Sequence, residues 1–456
     1  MKSTWLNYSE EEFVKLENFC KGYIDFISRA KTERICVTEG IKLARQAGYI
    51  SLQEAIEQGK LSIGDKVYSS HMDKTLFLFQ IGKEDIEKGM NILGAHIDSP
   101  RMDVKQNPLY ESEGMAYLDT HYYGGIKKYL WVTIPLAVYG VVVKKDGTKV
   151  EVNIGDNEND PVFTISDLLI HLSAQQMEKV AAKVVDGEAL DLLIGNKPTN
   201  DESDAVKAQI LKILKENYDI EEDDFLSAEL EVVPAGKARE CGLDRSMILG
   251  YGHDDRSCAY ASLVAFLEMQ DLDRTASCVL VDKEEVGSQG ATGMHSKIYE
   301  YHLAEILALL GKDSELSVKR AISNSAMLSS DVSAGFEPLY ASAFEKKNSA
   351  FLSKGMTINK YTGARGKSGS SDANAEFMAK VRNVLDQENV QFQTCELGAV
   401  DVGGGGTIAY IMANYGMDVI DCGMAVLSMH APFEVVSKAD IYETYRGYKA
   451  FLKLMK

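Results

Sequence analysis

Five short clusters of acidic and histidine residues are spread along the chain, at His96-Ile97-Asp98, Asp254-Asp255, Glu284-Glu285, Asp331 and His430. Singly, each has an ordinary explanation, since a carboxylate pair is usually a solvated loop and a lone histidine a satisfied polar residue. Together they hold the set that two divalent ions need: imidazole nitrogens, terminal carboxylates and one carboxylate able to bridge both metals. A carboxylate left off the metals can then take a proton from water that a metal has acidified toward ~7. Adjacent glutamates suit this division, because successive side chains of an extended segment point in opposite directions, and Glu284 and Glu285 can serve different partners.

The elements around the clusters explain how they could meet. A buried strand is expected over Met90 to Ala95, running into His96, and another over Ala276 to Asp282, running toward the glutamates. From Leu243 onward strand-like runs alternate with helical ones, including a helix over Ser257 to Leu272 and a strand over Asp418 to Cys422. That alternation indicates an α/β sheet, whose sites lie beyond the strand ends. Ser9 with Glu12 forms a capping-box pattern ahead of an amphipathic helix carrying Phe13, Leu16, Cys20, Tyr23 and Ile27. A second helix is expected near Glu39 to Ala47, and a last one from Ser437. Between about Arg101 and Gly242 the character turns toward β, with Tyr129 to Val143 and Lys149 to Ile154 joined through the hairpin dipeptide Asp146-Gly147. This stretch reads as an inserted domain with one clear helix, Ser203 to Tyr218.

Composition narrows the function classes. A chain of 456 residues with 45% hydrophobic and 26% charged residues is globular and exceeds one typical core. Its net charge of -19 argues against nucleic acid or an anionic membrane as partner. No run reaches the roughly 18 apolar residues of a membrane span, and the start lacks a signal-peptide core. Seven scattered cysteines without a CxxC pair point to a reducing cytoplasm and to buried thiols rather than a disulfide frame.

The strings GAHIDSPR (94 to 101), GHDDRSCAY (252 to 260), DKEEVGSQGATG (282 to 293), SSDVSAGFEP (329 to 338) and LSMHAP (427 to 432) make the chain resemble the aspartyl aminopeptidase, or aminopeptidase I, family of dinuclear zinc metallopeptidases. The resemblance implies a mixed-sheet α/β catalytic domain of the zinc-exopeptidase type, over residues 1–100 and 243–456, interrupted by a β-rich dimerisation domain over 101–242. It implies two zinc ions per subunit, with cobalt or manganese as alternatives. Asp255 would bridge them, chosen over Asp254 because it directly precedes Arg256. One ion would add His96 and Asp331, and the other Glu285 and His430. Glu284 would be the general base, and Asp98 would fix the His96 ring. The string ISDLLIHL (165 to 172) resembles a family segment that would bring His171 into a neighbour's active site, where it helps polarise the scissile carbonyl; the alternative is a packed histidine on an apolar helix. Homodimers would assemble into a tetrahedral dodecamer acting on peptides. The competing readings are a dinuclear deacylase or carboxypeptidase, and an assembly protein without chemistry.

Two departures from the family pattern bear on substrate choice. After Asp331, Ala334 and Glu337 stand where better-known members carry histidines, and Asn359 aligns with a lysine associated with acidic first residues; Lys360 and Arg365 are nearby in sequence. Gly366 to Ser368 fails as a phosphate loop, because its first glycine would fall at Tyr361. Gly403 to Gly406 ahead of Thr407 resembles the family's glycine turn near the substrate.

Overall fold

The structure is a computed structural model that describes residues 2–200 and 203–456. The chain divides into two compact units. One runs to Asp98 and resumes over Ala238–Met429 and Glu434–Lys456; the other comprises Ser99–Lys237 together with His430–Phe433. Residues 238–242, expected to close the insert, instead belong to the first unit, because Arg239–Cys241 pairs antiparallel with Met247–Gly250.

Among the described residues the first unit holds a nine-stranded sheet. Its centre is four parallel strands in the spatial order Ala276–Val281, Asn91–His96, Ala326–Ser330 and Asp418–Gly423. Antiparallel neighbours, Thr75–Gln80 on one side and Met356–Asn359 on the other, make the sheet mixed. Parallel centre strands are apolar on both faces because helices cover both. Leu93, Ala95, Leu280, Leu328 and Ile420 enter a core with the helices Glu10–Arg29, His253–Leu267 and Lys438–Leu454. The alternate residues Ile92, Val279, Met327 and Val419 enter another with Ile298–Leu309 and Glu315–Ser323. All four centre strands run the same way, so His96, Asp282, Asp331 and Gly423 fall together at one edge.

Local signals act as read. Ser9 Oγ accepts the Glu12 N–H, and the Glu12 carboxylate accepts the Ser9 N–H at 2.9 Å, starting the first helix at Glu10. The second helix starts earlier than expected, at Glu33, with Thr32 as its cap. A smaller sheet of the same unit joins Arg239–Cys241, Met247–Gly250, Glu434–Ser437, Ala425–Leu427 and Ser333–Ala334.

The second unit is built on a six-stranded sheet, ordered Lys149–Ile154, Leu136–Val143, Ala228–Pro234, Arg101–Ser112, Met115–Tyr123 and Leu192–Gly195, with every pairing antiparallel. The Asp146-Gly147 turn forms as expected, and Gly147 takes a φ of 88°, open to glycine without a Cβ clash. The helix spans Ala205–Tyr218. The string 165 to 172 is not an apolar helix: it contains only the 3-10 turn Ile170–Leu172, and Ile170 and Leu172 are each 68% exposed. So short a helix is marginal in water without a wall to pack on. No helix among the described residues is long and apolar enough to cross a membrane.

Candidate active site

His96 ends its strand fully buried, and both ring nitrogens have work. Nδ1 lies 3.0 Å from the Asp98 carbonyl oxygen and 3.3 Å from Asp98 Oδ1. Both atoms accept, so Nδ1 carries a proton and Nε2 is left to face the site. Three carboxylates converge on Nε2: Asp254 at 3.2 Å, Glu284 at 3.9 Å and Asp331 at 3.9 Å.

The loop after Ala276–Val281 brings in the glutamates. Lys283 at φ 73° and Gly287 at φ 89° bracket the 3-10 turn Glu284–Val286, so the two glutamates are not on extended backbone as the sequence reading supposed. What holds the turn is Asp98, whose Oδ1 accepts the Glu284 N–H and whose Oδ2 accepts the Glu285 N–H, each at 3.2 Å. The expected role of Asp98 toward His96 was only half of what the side chain does. Just before the turn, Asp282 accepts from Thr292 Oγ1 at 2.7 Å, and burial followed by the charges of Glu33 and Asp98 pushes its pKa up to about 6.

Asp254 rather than Asp255 is the aspartate at the site. His96, Asp254 and Asp331 offer ligand atoms within 4.8 Å of one another, and Asp254 stands equally close to Glu285. Asp255, read as the bridge, belongs to neither group. The cause is local backbone: after Gly252 at φ 74°, Asp254 has ψ 108° and Asp255 ψ 24°, so the two carboxylates leave a non-helical turn in different directions. Around it, the buried His253 donates from Nε2 to Ile248 O at 3.2 Å and accepts the Tyr23 hydroxyl on Nδ1 at 2.6 Å, while the Asp254 N–H donates to Glu434 at 3.0 Å. Burial depresses the His253 pKa to about 3 and keeps the ring neutral. Tyr23 and Glu434 carry no motif signal, and sequence reading missed them, whereas His253 lies within GHDDRSCAY and takes a structural place rather than a ligand's.

His430 follows Met429 at φ 64°, in the second unit. Its Nδ1 donates to Gly125 O at 2.7 Å, so Nε2 presents the lone pair. His171 is exposed in the same unit.

The electrostatics call for cations. Burial opposes charge on His96, yet hydrogen bonds that its ring donates to Asp254 and Asp98 and the charge of Glu284 outweigh it and raise its pKa well above the imidazole value. Desolvation, then repulsion from Asp254 and Asp255, drives Asp331 well above the carboxylate range. Asp255 rises too, first through burial. Crowded carboxylates around one imidazole nitrogen, all oxygen and nitrogen donors, fit zinc-type coordination.

Beside the cluster, Asp421 on Asp418–Gly423 accepts Thr407 Oγ1 at 2.5 Å and so anchors the end of the Gly403 to Gly406 turn; sequence reading had not paired these two. Asn359 is buried, accepting from Ser333 Oγ at 2.9 Å. Lys360 is held by Asp372 at 2.6 Å, whereas the Arg365 side chain has no ion pair among the described residues. Gly366 to Ser368 lies in a tight turn in which Ala364 and Ser368 exchange backbone hydrogen bonds, and is no phosphate loop.

Mixed-sheet architecture and a buried carboxylate nest at the ends of parallel strands define the class, a metal-dependent hydrolase. The comparisons define the family. Residues 26–452 match the model of the aminopeptidase I zinc metalloprotease family, M18. A probable M18 family aminopeptidase 1 from Clostridium acetobutylicum is 57% identical over 454 residues, covering 99% of this chain and 98% of that one. A crystal structure of an M18 family aminopeptidase from Thermotoga maritima superposes with a TM-score of 0.94 at 44% identity, over 99% of each chain. The S. cerevisiae mApe1 dodecamer shares the fold, with a TM-score of 0.77 at 20% identity over 94% of this chain and 95% of that one. The chain belongs to the aminopeptidase I zinc metalloprotease family, and is a metal-dependent aminopeptidase.

Proposed function

We propose that this aminopeptidase works with two zinc ions bridged by Asp254, one held also by His96 and Asp331, the other by Glu285 and His430. The observation that carries the reading is the convergence of Asp254, Glu284 and Asp331 on His96 Nε2 at 3.2–3.9 Å. Bound there, the metals supply Lewis-acid polarisation of the scissile carbonyl and acidify water. Glu284 takes a proton from the attacking water on its carboxylate and returns it to the nitrogen of the leaving amine. Asp98 keeps the His96 lone pair aimed inward and sets the Glu284–Glu285 turn, so that base and ligand are placed by one carboxylate. The Asp421–Thr407 bond holds the glycine turn, whose bare backbone permits close approach of a peptide.

Function as a homo-oligomer, dimers assembling into a tetrahedral dodecamer, is part of the same proposal. What supports it is the assembly of the mApe1 structure and an exposed apolar run on the second unit, including Leu169, Ile170, Leu172, Met177 and Val180. His171 lies within that run, which favours its reaching a neighbour's site over the packed-histidine reading. A reducing cytoplasm, expected from the scattered cysteines, is part of the same proposal. The test of the function is release of leucine from Leu-Gly and its blocking by N-acetylation. Equal cleavage of the acetylated peptide would replace the aminopeptidase with a deacylase or carboxypeptidase.

A further inference from the structure

The string DKEEVGSQGATG, from Asp282 to Gly293, supplies the base and one ligand, yet its outer residues Asp282 and Thr292 have no place in either role. Both are buried. Among the described residues Asp282 belongs to neither group of donors able to hold a metal. A carboxylate out of reach of water is strongly disfavoured unless its oxygens are occupied, and the charges of Glu33 and Asp98 disfavour this one further. Both of its oxygens are occupied, and by the two ends of one loop. Oδ1 accepts the Lys283 N–H at 2.7 Å and Oδ2 accepts Thr292 Oγ1 at 2.7 Å, while the Asp282 N–H donates to Thr292 O at 3.1 Å. Residues 282 and 292 are thus joined by side chain and by backbone, with 283–291 closed between them.

The backbone of this loop needs holding. Lys283 has φ 73° and Ser288 φ 59°, in the left-handed region that residues with a Cβ disfavour. Lys283 is the point at which the strand Ala276–Val281 gives way to the turn Glu284–Val286. Asp98 takes the next two N–H groups, those of Glu284 and Glu285, at 3.2 Å each. Three successive N–H groups therefore end on two carboxylates. Asp98 fixes the edge of the turn but not the angle at Lys283 that feeds it. The bond from the Lys283 N–H to Asp282 sets that angle, and Thr292 keeps the Asp282 carboxylate from rotating away. On the far side of the loop the Ser288 N–H returns to Lys283 O at 2.7 Å, and a Cβ on Gly293 would lie 2.2 Å from Ser288 O, so the loop is packed against itself.

We propose that Asp282 and Thr292 are positioning residues for the reaction, a clip that sets the Glu284 carboxylate where it takes the proton and returns it. This inference rests on the reading of Glu284 as the base. A base moved by a fraction of an ångström leaves substrate binding intact but transfers its proton poorly, so the clip acts on kcat rather than on KM. Its two side chains act as one unit, because the Thr292 hydroxyl reaches the turn through Asp282.

The experiment measures leucine release from Leu-Gly by the metal-loaded enzyme and its D282A, D282N, T292V and T292S variants, then repeats D282A and T292V on an E284Q background. D282A and T292V are each expected to lose about ten- to a hundredfold in kcat, with KM changed by no more than about twofold and zinc content equal to the wild type's. D282N still offers Oδ1 to the Lys283 N–H and turns its NH2 toward Thr292 Oγ1, and T292S keeps the hydroxyl, so both hold kcat within about threefold of the wild type. On the E284Q background D282A and T292V each lower kcat by no more than about twofold further, since the clip acts through the base. Full kcat in T292V, an equal loss with and without Glu284, or a D282N as slow as D282A overturns the proposal. Loss of zinc from T292V overturns it too, by assigning the clip to the ligand Glu285. T292V, which exchanges one hydroxyl for a methyl, decides the matter by itself where D282A does not fold. Normal kcat in E284Q alone would overturn the base assignment and the clip with it, whereas a wild-type enzyme that releases no leucine would overturn the aminopeptidase reading itself.

Discussion

An oxygen of Asp254 lies 3.2 Å from His96 Nε2, and the same carboxylate reaches the neighbourhood of Glu285. A bridging ligand must be shared by two donor sets, and Asp254 meets that condition within the first unit whereas Asp255 does not. Asp254→Ala is therefore expected to lose both zinc ions on dialysis, while Asp255→Asn keeps them. Metal content per subunit by mass spectrometry decides it; two tightly retained ions in Asp254→Ala would return the bridge to Asp255 or another residue.

Glu284 sits 3.9 Å from His96 Nε2 yet belongs to neither group of residues whose ligand atoms lie close enough together to hold a metal. Glu284→Gln is expected to bind metal normally and to lose ~10²–10⁴-fold in kcat, the usual worth of a general base. Near-normal turnover at full metal content would sink the assignment.

Asp98 joins two parts of the site that the chain keeps far apart, His96 and the Glu284–Glu285 turn. Asp98→Asn places an amide NH2 where an acceptor is needed, against Nδ1 of His96 or one of the two backbone N–H groups. The expected result is a loss of about 10–100-fold in metal affinity or activity, typical of residues behind the ligands. Unchanged zinc affinity together with unchanged kcat would show that the turn holds itself.

Features set by neighbours in sequence were legible beforehand. The capping box of Ser9 and Glu12, the Asp146-Gly147 hairpin and the strand entering His96 each depend on a few adjacent residues. The donor types of the site were legible for the same reason, since each motif is short. What escaped depends on backbone angles and distant contacts. Backbone angles at 254 and 255 separate the two aspartates, and nothing in the motif encodes those angles. The 3-10 turn at Glu284 exists because Asp98, far away in sequence, accepts both of its N–H groups. The exposed run at 168 to 172 looked helical because apolar periodicity cannot say whether a wall is present to receive it.

Asp440, remote from the metal residues in sequence, gives a pH dependence whose sign can be worked out. Burial outweighs the N–H groups of Gly355 at 2.7 Å and Ser353 at 2.6 Å and raises its pKa to about 7. A carboxyl raised above its unfolded value of ~3.9 binds its proton more tightly when folded. Its contribution is thus fully present at low pH and is lost as pH rises from about 4 through about 7. Asp440→Asn loses stability overall, since its NH2 meets a backbone donor, but its Tm should change less than the wild type's between pH 5 and pH 8. An identical shift in both proteins would remove Asp440 as the source.

Preference for the first residue of the substrate follows from charge. An Asp or Glu side chain in a partly dry pocket needs a compensating cation, because an unpaired buried carboxylate is strongly disfavoured. At the position matching the family's lysine stands Asn359, buried and occupied with Ser333. Of the three cations nearby in sequence, Lys360 is held by Asp372 at 2.6 Å, and Lys367 shares the same carboxylate at 3.1 Å. Arg365 alone of these is without an ion pair, and it is exposed. Neutral first residues are accordingly expected to be released at least as fast as acidic ones, which kcat/KM for unblocked Leu, Ala, Asp and Glu amides measures directly. A tenfold preference for the acidic pair, worth ~1.4 kcal/mol in transition-state binding, would overturn this expectation. In that case Arg365→Gln should abolish the preference, since Lys360 would first have to give up Asp372.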